Sequence, residues 1–288
     1  MSLTGMERLD SPILSVPMLL GVMGDPVIQS KSPVMHQAAL HAAGIRGTYV
    51  PLHVKPDRLG QAVQGITALG FRGVNVTVPH KIRVMDYLDE IDPAAAAIGA
   101  VNTVVNEGGR LIGYNTDGIG YLRSLKEEAG ANLNGASIVV LGAGGAARGI
   151  VYALLQEKPD LVTLWNRTEA TAQELASEWG DLGNLSSCGP DHLRGALQKA
   201  DIVINTTSVG MYPQLDGVPV NPDWLPSGII VSDLIYNPLE TVLLKQAKLK
   251  GCRIHNGIGM FVYQGAYAFE LWTGMKAPVA EMRAAALG

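Results

Sequence analysis

The chain has 288 residues, of which 47% are hydrophobic and 17% charged, with 34 glycines and a formal net charge of −4. This length suits two domains or one large one with sizeable buried cores, and mild acidity without a basic block speaks against nucleic acid as the main partner. Cys188 and Cys252 lie far apart without metal spacing, which fits a reduced, cytoplasmic setting.

Met1 to about Pro17 carries Glu7 and Asp10 and no long apolar core, so it reads as a loose leader and not as a signal peptide. Leu19 to Met23 is a short apolar strand that ends in the turn Gly24-Asp25-Pro26. After Gln29-Ser30-Lys31, Ser32 is expected to cap a helix with Pro33 at its first position, running to about Ala43. Gly47 to Val54 reads as a strand, Pro56 to Leu69 as a helix and Gly73 to Val76 as a third strand. Such a β-α-β-α-β series predicts parallel strands with helical crossovers.

Pro79 is expected to open a helix to about Leu88, with Lys81 in its first turn and His80 facing solvent. A lysine at that end opposes the helix dipole. Either it is solvated and points away, or the positive helix end lowers its pKa and suits it to proton transfer. Ala100 to Asn106 and Arg110 to Tyr114 read as strands joined by the hairpin turn Glu107-Gly108-Gly109. Asn102 starts the first of them. Asp117 follows the second, at the head of a helix from Gly118 to Glu128, and is either a cap or a working carboxylate. A domain hinge is expected here.

Ser137 to Leu141 reads as a buried strand broken by a glycine cluster, and Ala146 to Gln156 as the helix behind it. Gly142, Gly144 and Ala147 fill the G-x-G-x-x-G/A dinucleotide fingerprint: a tight turn, a close backbone approach to pyrophosphate, and close helix–strand packing. Ala143, Gly145 and Ala146 complete the loop, whose free N–H groups would hold the phosphates. The next strand, Leu161 to Trp165, ends in Asn166-Arg167-Thr168 where many NAD enzymes carry an acid. An acid there would repel a 2′-phosphate, whereas a guanidinium binds one, so NADP is expected; the alternative is a solvated Arg167. Although Ala136 to Leu155 is almost wholly apolar, its glycines and Arg148 mark a buried α/β unit and not a membrane span.

Thr168 to Trp179 reads as a helix, and Gly180 to Pro190 as a loop with at most one short strand. Asp201 to Asn205 is a strand ending in the small residues from Thr206 to Gly210. Ile229 to Leu234 is a strand ending near Tyr236, Leu239 to Lys250 a helix, and Arg253 to His255 a strand. Gly257-Ile258-Gly259-Met260 then leads into a helix carrying Gln264. The strand ends deliver small or polar residues to one edge, where ligands bind in such folds. None of the six histidines forms an H-E-x-x-H pattern, so no metal is expected.

Several of these stretches, in this order, resemble the shikimate dehydrogenase family, including its quinate/shikimate dehydrogenase branch. They are Ser30-Lys31-Ser32-Pro33, Asn75 to Lys81, Gly99 to Thr103, Asn115-Thr116-Asp117-Gly118, Gly142 to Ala147, Asn166-Arg167-Thr168, and Gly259-Met260 with Gln264. The resemblance implies an α/β chain with an active-site cleft between two domains. Residues 1–117 would form a substrate domain with a mostly parallel sheet, onto which 253–288 fold back, and 118–252 a Rossmann-like NADP domain. It implies reversible oxidation of shikimate to 3-dehydroshikimate by NADP⁺, a step of aromatic amino acid biosynthesis. Lys81 and Asp117 match the catalytic pair, Ser30 and Ser32 the carboxylate ligands, Thr77, Asn102 and Gln264 ring-hydroxyl contacts, and Tyr236 a substrate-side tyrosine. The expected cofactor set is Gly142, Ala143, Gly144, Gly145, Ala146, Ala147, Asn166, Arg167, Thr168, Thr206, Gly257 and Met260.

Two positions depart from the family pattern. Thr171 stands where a second basic residue is common, which makes NAD an alternative cofactor, and Gln29 stands where histidine is frequent. Quinate is the alternative substrate, and a non-catalytic sensor the alternative class. Retention of both Lys81 and Asp117 speaks against the sensor. The expected partners are small molecules only, without nucleic acid or membrane, in a monomer or homodimer.

Overall fold

The computed structural model describes residues 16–288; the expected leader lies, up to residue 15, outside them. Two six-stranded sheets carry the fold. The first part of the chain runs β1 (Met18–Gly24), α1 (Ser32–Ala42), β2 (Gly47–His53), α2 (Leu59–Ala68), β3 (Phe71–Val76), β4 (Glu90–Ile91), α3 (Pro93–Ile98), β5 (Thr103–Glu107) and β6 (Arg110–Tyr114). The strand order is β2-β1-β3-β5-β6-β4, with β1 parallel to both β2 and β3, as the crossover pattern predicts, and with β5 antiparallel to β3 and β6.

The second part runs α4 (Asp117–Ala129), β7 (Ser137–Leu141), α5 (Gly145–Gln156), β8 (Leu161–Trp165), α6 (Glu169–Glu178), β9 (Leu185–Ser187), α7 (Pro190–Gln198), β10 (Ile202–Asn205), β11 (Ile230–Asp233), α8 (Val242–Leu249) and β12 (Arg253–His255). Its strands are all parallel, in the order β12-β11-β10-β7-β8-β9. The order reverses between β7 and β10, and such a switch point opens a crevice beyond the strand ends. α9 (Ile258–Thr273) and α10 (Val279–Leu287) then return to the first sheet. Val262, Phe269, Trp272 and Met282 join Leu20, Val22, Met35 and Leu40 in one buried core, and Trp272 Nε1 donates to the Val104 carbonyl at 3.0 Å.

α9 also lies tightly against α4. A Cβ on Gly120 would stand 2.5 Å from the Gln264 nitrogen, and one on Gly259 would stand 1.9 Å from Ser124 Oγ. Only glycine permits this approach, which brings Gln264 beside the helix that Asp117 opens.

Three local expectations fail. No α-helix spans Pro79 to Leu88: turns lead into a short 3₁₀ segment at Arg83–Tyr87. Val84 is buried and Met85 and Leu88 pack against the same core, but Ile82 is 70% exposed and Tyr87 41%, and a segment this short is marginal as an α-helix by itself. The dipole argument about Lys81 falls with that helix. His80 is buried, not solvent-facing, with Nε2 2.6 Å from the Val54 carbonyl oxygen. Ser32 does not cap α1. The helix begins one residue earlier than expected, and it is the Ser30 hydroxyl that accepts from the Ser32 N–H at 3.2 Å. Two helices, α3 and α7, stand where none was expected.

Candidate active site

The first sheet explains how distant residues meet. β5 is antiparallel and lies between β3 and β6. The chain therefore leaves β3, enters β5 and leaves β6 at the same sheet edge. Thr77 and Lys81 follow β3, Asn102 precedes β5, and Asp117 follows β6. The loops are tied together: the Val101 N–H donates to the Lys81 carbonyl at 2.8 Å, and the Val76 N–H to the Asn102 carbonyl at 2.8 Å.

Lys81 Nζ donates to Asp117 Oδ2 at 2.6 Å, with their side chains 31% and 19% exposed. The pair is thus shielded yet open on one side. Asp117 does not cap α4: it is the first helical residue, behind Thr116, and no side chain caps the helix, while Asn115 Oδ1 accepts from the Asp117 N–H at 3.1 Å. Asp117 Oδ1 accepts from Asn102 Nδ2 at 2.9 Å. The Asn102 amide orientation is fixed, since its Oδ1 accepts from the Thr116 backbone N–H at 2.8 Å and a backbone N–H can only donate.

Ser30 and Ser32 stand at the start of α1, beyond the end of β1 on the same edge. The Thr77 hydroxyl has no partner among the described residues, while its N–H donates to Met23. Gln264 Nε2 donates back to the Phe261 carbonyl at 2.8 Å. Tyr236 is 40% exposed beyond β11, its ring stacked on Phe261 at 5.3 Å. Asn75 and Thr103 received no role from the sequence, yet both are buried and bonded to the Asn102 group. Asn75 stands inside one of the motifs, so the signal was in hand; its partners were not visible.

The glycine loop joins β7 to α5. Gly142 has φ +109°, and a Cβ on it would meet Thr206 Oγ1 at 2.5 Å, so this position needs glycine. The Thr206 hydroxyl donates to the Leu141 carbonyl at 2.9 Å and braces the turn. At Gly144 and Gly145 a Cβ would meet nothing within 4 Å, and no side chain caps α5. This open space before uncapped N–H groups fits a dinucleotide pyrophosphate. Ala147 is fully buried and packs α5 onto the sheet. Asn166 Oδ1 accepts from the Ala143 N–H at 3.3 Å, joining this loop to the end of β8, and Asn166 Nδ2 donates to the Thr168 carbonyl at 2.9 Å. Arg167 is exposed and has no hydrogen bond or ion pair among the described residues, so its guanidinium is available. Met260 is half-buried on α9. Gly257 is a packing glycine, because a Cβ there would lie 1.9 Å from the Leu234 carbonyl oxygen. Among the described residues no helix is long and apolar enough to cross a membrane.

A parallel sheet with an open glycine loop, joined to a second sheet that carries a lysine–carboxylate pair, is the arrangement of a dinucleotide-dependent dehydrogenase. The family models for the shikimate dehydrogenase substrate binding domain, shikimate / quinate 5-dehydrogenase and the shikimate 5′-dehydrogenase C-terminal domain match residues 22–104, 124–212 and 257–287. A shikimate dehydrogenase (NADP(+)) of Moorella thermoacetica is 50% identical over 92% of this chain and 90% of its own. The structure of shikimate 5-dehydrogenase from Thermus thermophilus, in complex with NADP(H) and shikimate, is similar at TM-score 0.86 with 37% identity over 94% of this chain and 98% of that one. Quinate dehydrogenase from Corynebacterium glutamicum, in complex with NAD, is similar at TM-score 0.88 with 32% identity over 94% and 99%. The chain belongs to the shikimate dehydrogenase family.

Proposed function

We propose that this protein oxidises shikimate to 3-dehydroshikimate reversibly with NADP⁺. The observation that carries the reading is the Lys81–Asp117 pair at 2.6 Å, placed by three strand ends on the edge that also holds Ser30, Ser32 and Thr77. The first sheet with α9 and α10 serves as substrate domain, and α4 to β12 as the NADP domain; β12 (Arg253–His255), expected to fold back with 253–288, instead pairs with β11 in the second sheet. NADP⁺, when bound, accepts the hydride; the glycine loop holds its phosphates and Arg167 its 2′-phosphate. Ser30 and Ser32 take the substrate carboxylate. Thr77, Asn102 and Gln264 meet ring hydroxyls, and Tyr236 closes the substrate side. Lys81 Nζ contacts the reacting hydroxyl: as the amine it accepts the hydroxyl proton in oxidation, and as the ammonium it returns that proton in reduction, while Asp117, aligned by Asn102, holds Nζ in place. A steady-state assay of shikimate and quinate with NADP⁺ and NAD⁺ tests this directly: the highest kcat/KM belongs to shikimate with NADP⁺, and a preference for quinate with NAD⁺ would refute it.

Arg167→Ala should raise the KM for NADP⁺ by roughly tenfold or more, the scale of a lost hydrogen bond to a charged group, and leave NAD⁺ almost unaffected. Equal effects on both cofactors would remove Arg167 from the 2′-phosphate.

For the carboxylate, Ser32→Ala is the cleaner test, because Ser30 also holds the start of α1. It should weaken shikimate binding in calorimetry by about 1–3 kcal/mol without lowering Tm. Ser30→Ala should weaken binding and also cost about 0.5–1.5 kcal/mol of stability for the lost hydrogen bond from the Ser32 N–H. Unchanged affinity in both variants would place the carboxylate elsewhere.

A further inference from the structure

Behind the candidate catalytic pair runs a line of hydrogen bonds whose directions are set by its carbonyl and amide members. The Asn75 amide nitrogen faces the Asn102 carbonyl at 3.2 Å, and a carbonyl can only accept, so Nδ2 and Oδ1 of Asn75 are assigned. Tyr49 Oη lies 2.7 Å from Asn75 Oδ1, so the tyrosine must donate. Asn75 Nδ2 donates in turn to Thr103 Oγ1 at 3.0 Å. Thr103 Oγ1 lies 3.0 Å from Asn102 Oδ1, which can only accept, so Thr103 donates there; its other hydroxyl neighbour, Thr116 Oγ1, is further off at 3.4 Å. Asn102 Nδ2 donates to Asp117 Oδ1 at 2.9 Å, and Lys81 to Asp117 Oδ2 at 2.6 Å. Every donor along the line points towards one carboxylate. Hydrogen bonds aligned in this sense polarise one another, and burial removes the water that would screen them.

The far end is rigid. Tyr49 is 4% exposed, and its ring stacks on His36 at 4.4 Å with 7° between planes and tilts against Trp272 at 6.1 Å. The hydroxyl cannot swing away from Asn75.

We propose that Tyr49 and Thr103 are positioning residues for the reaction: a one-way hydrogen-bond line from Tyr49 through Asn75, Thr103 and Asn102 holds the Asp117 carboxylate in the orientation that Lys81 requires. Both residues are buried, Thr103 fully and Tyr49 to 4% exposure. The inference rests on Lys81 and Asp117 being the catalytic pair.

The test uses the full-length enzyme with shikimate and NADP⁺. Thr103→Val keeps shape and removes the hydroxyl, whereas Thr103→Ser keeps the hydroxyl. Tyr49→Phe keeps the stacked ring. Thr103→Val and Tyr49→Phe should each lower kcat by about three- to tenfold, the range of one hydrogen bond, with both KM values within about twofold of wild type. Thr103→Ser should recover most of the loss. The double variant should be no slower than the worse single one, because a line broken once is already broken; losses that multiply would mean two unrelated structural defects. Wild-type kcat in Thr103→Val, or Thr103→Ser no better than Thr103→Val, overturns the proposal. The threonine pair decides the matter alone if Tyr49→Phe does not fold. If Lys81→Ala retains its kcat, the catalytic assignment itself fails; if Lys81→Ala is slow and Thr103→Val is not, only the hydrogen-bond line fails.

Discussion

Lys81→Ala should reduce kcat by about 10²–10⁴, the scale of a general acid–base group, while the KM for shikimate changes much less. Removing hydride from an alcohol carbon requires that the hydroxyl proton leave as well, and the cofactor takes only the hydride. On this sheet edge Lys81 combines a basic nitrogen that can exchange a proton, a fixed partner at 2.6 Å and a side chain 31% exposed. The histidine beside it is buried on the Val54 carbonyl and cannot substitute. Binding should survive, because Ser30, Ser32 and Thr77 are untouched and the glycine loop stands on the other sheet. Asp117 would lose one partner but keep Asn102 at 2.9 Å, so the variant should fold with unchanged NADP affinity. Stopped-flow or steady-state kinetics with both substrates varied decides the point. A variant with near-normal kcat and a large rise in KM would make Lys81 a binding residue.

The second large effect is on stability in mild acid. Burial pushes His36 down to about 3, and burial together with Arg283 pushes His255 down to about 4. Both rings are neutral in the folded protein and take up a proton, once unfolded, below about pH 6.5. A pKa depressed by folding gives stability that is complete above the unfolded value and is lost as pH falls towards the folded one. The window here runs from about 6.5 down to about 4 for His255 and to about 3 for His36. Within it each histidine removes up to about 1.4 kcal/mol per pH unit. Denaturant titrations at pH 7.5 and 5 should therefore differ by several kcal/mol. His255→Gln, which can still bond Ser124 and Ser232, should flatten the pH dependence by about one proton. An unchanged slope in that variant would mean that His255 is already charged in the fold.

The strands and the glycine loop were legible because each is a local pattern. Ser137 to Leu141 and Leu161 to Trp165 match their strands to the residue, since a parallel strand buried on both faces is a plain apolar run. α3 and α7 were equally readable. Asp92 Oδ1 accepts from the Ala94 N–H at 3.0 Å with Pro93 behind it, and α7 buries Leu193 and Leu197 four apart behind Pro190. Pro79 gave the same start signal falsely: Val84, Met85 and Leu88 do pack inward behind it, but from turns and a 3₁₀ segment. What the sequence could not supply was partnership across distance. His255 is bonded through both ring nitrogens, to Ser124 at 2.7 Å and to Ser232 at 2.8 Å. Nothing local separates such a residue from an exposed histidine. The same holds for His80, and for Tyr49 and Thr103, whose alignment towards Asp117 exists only once three strands are side by side.

The return of α9 and α10 to the first sheet has a consequence for how the protein is made. Domains usually acquire their structure in the order in which the ribosome releases them. Here the apolar face formed by Leu20, Val22, Met35 and Leu40 is completed by Val262, Phe269, Trp272 and Met282, which are translated last. The first third of the nascent chain must therefore wait, with that face bare, while the all-parallel sheet behind it gains every one of its strands. The amino-terminal half is the later one to finish. A chain halted before Phe269 would carry a complete second sheet and an uncovered first one, the kind of surface that chaperones retain and that promotes aggregation.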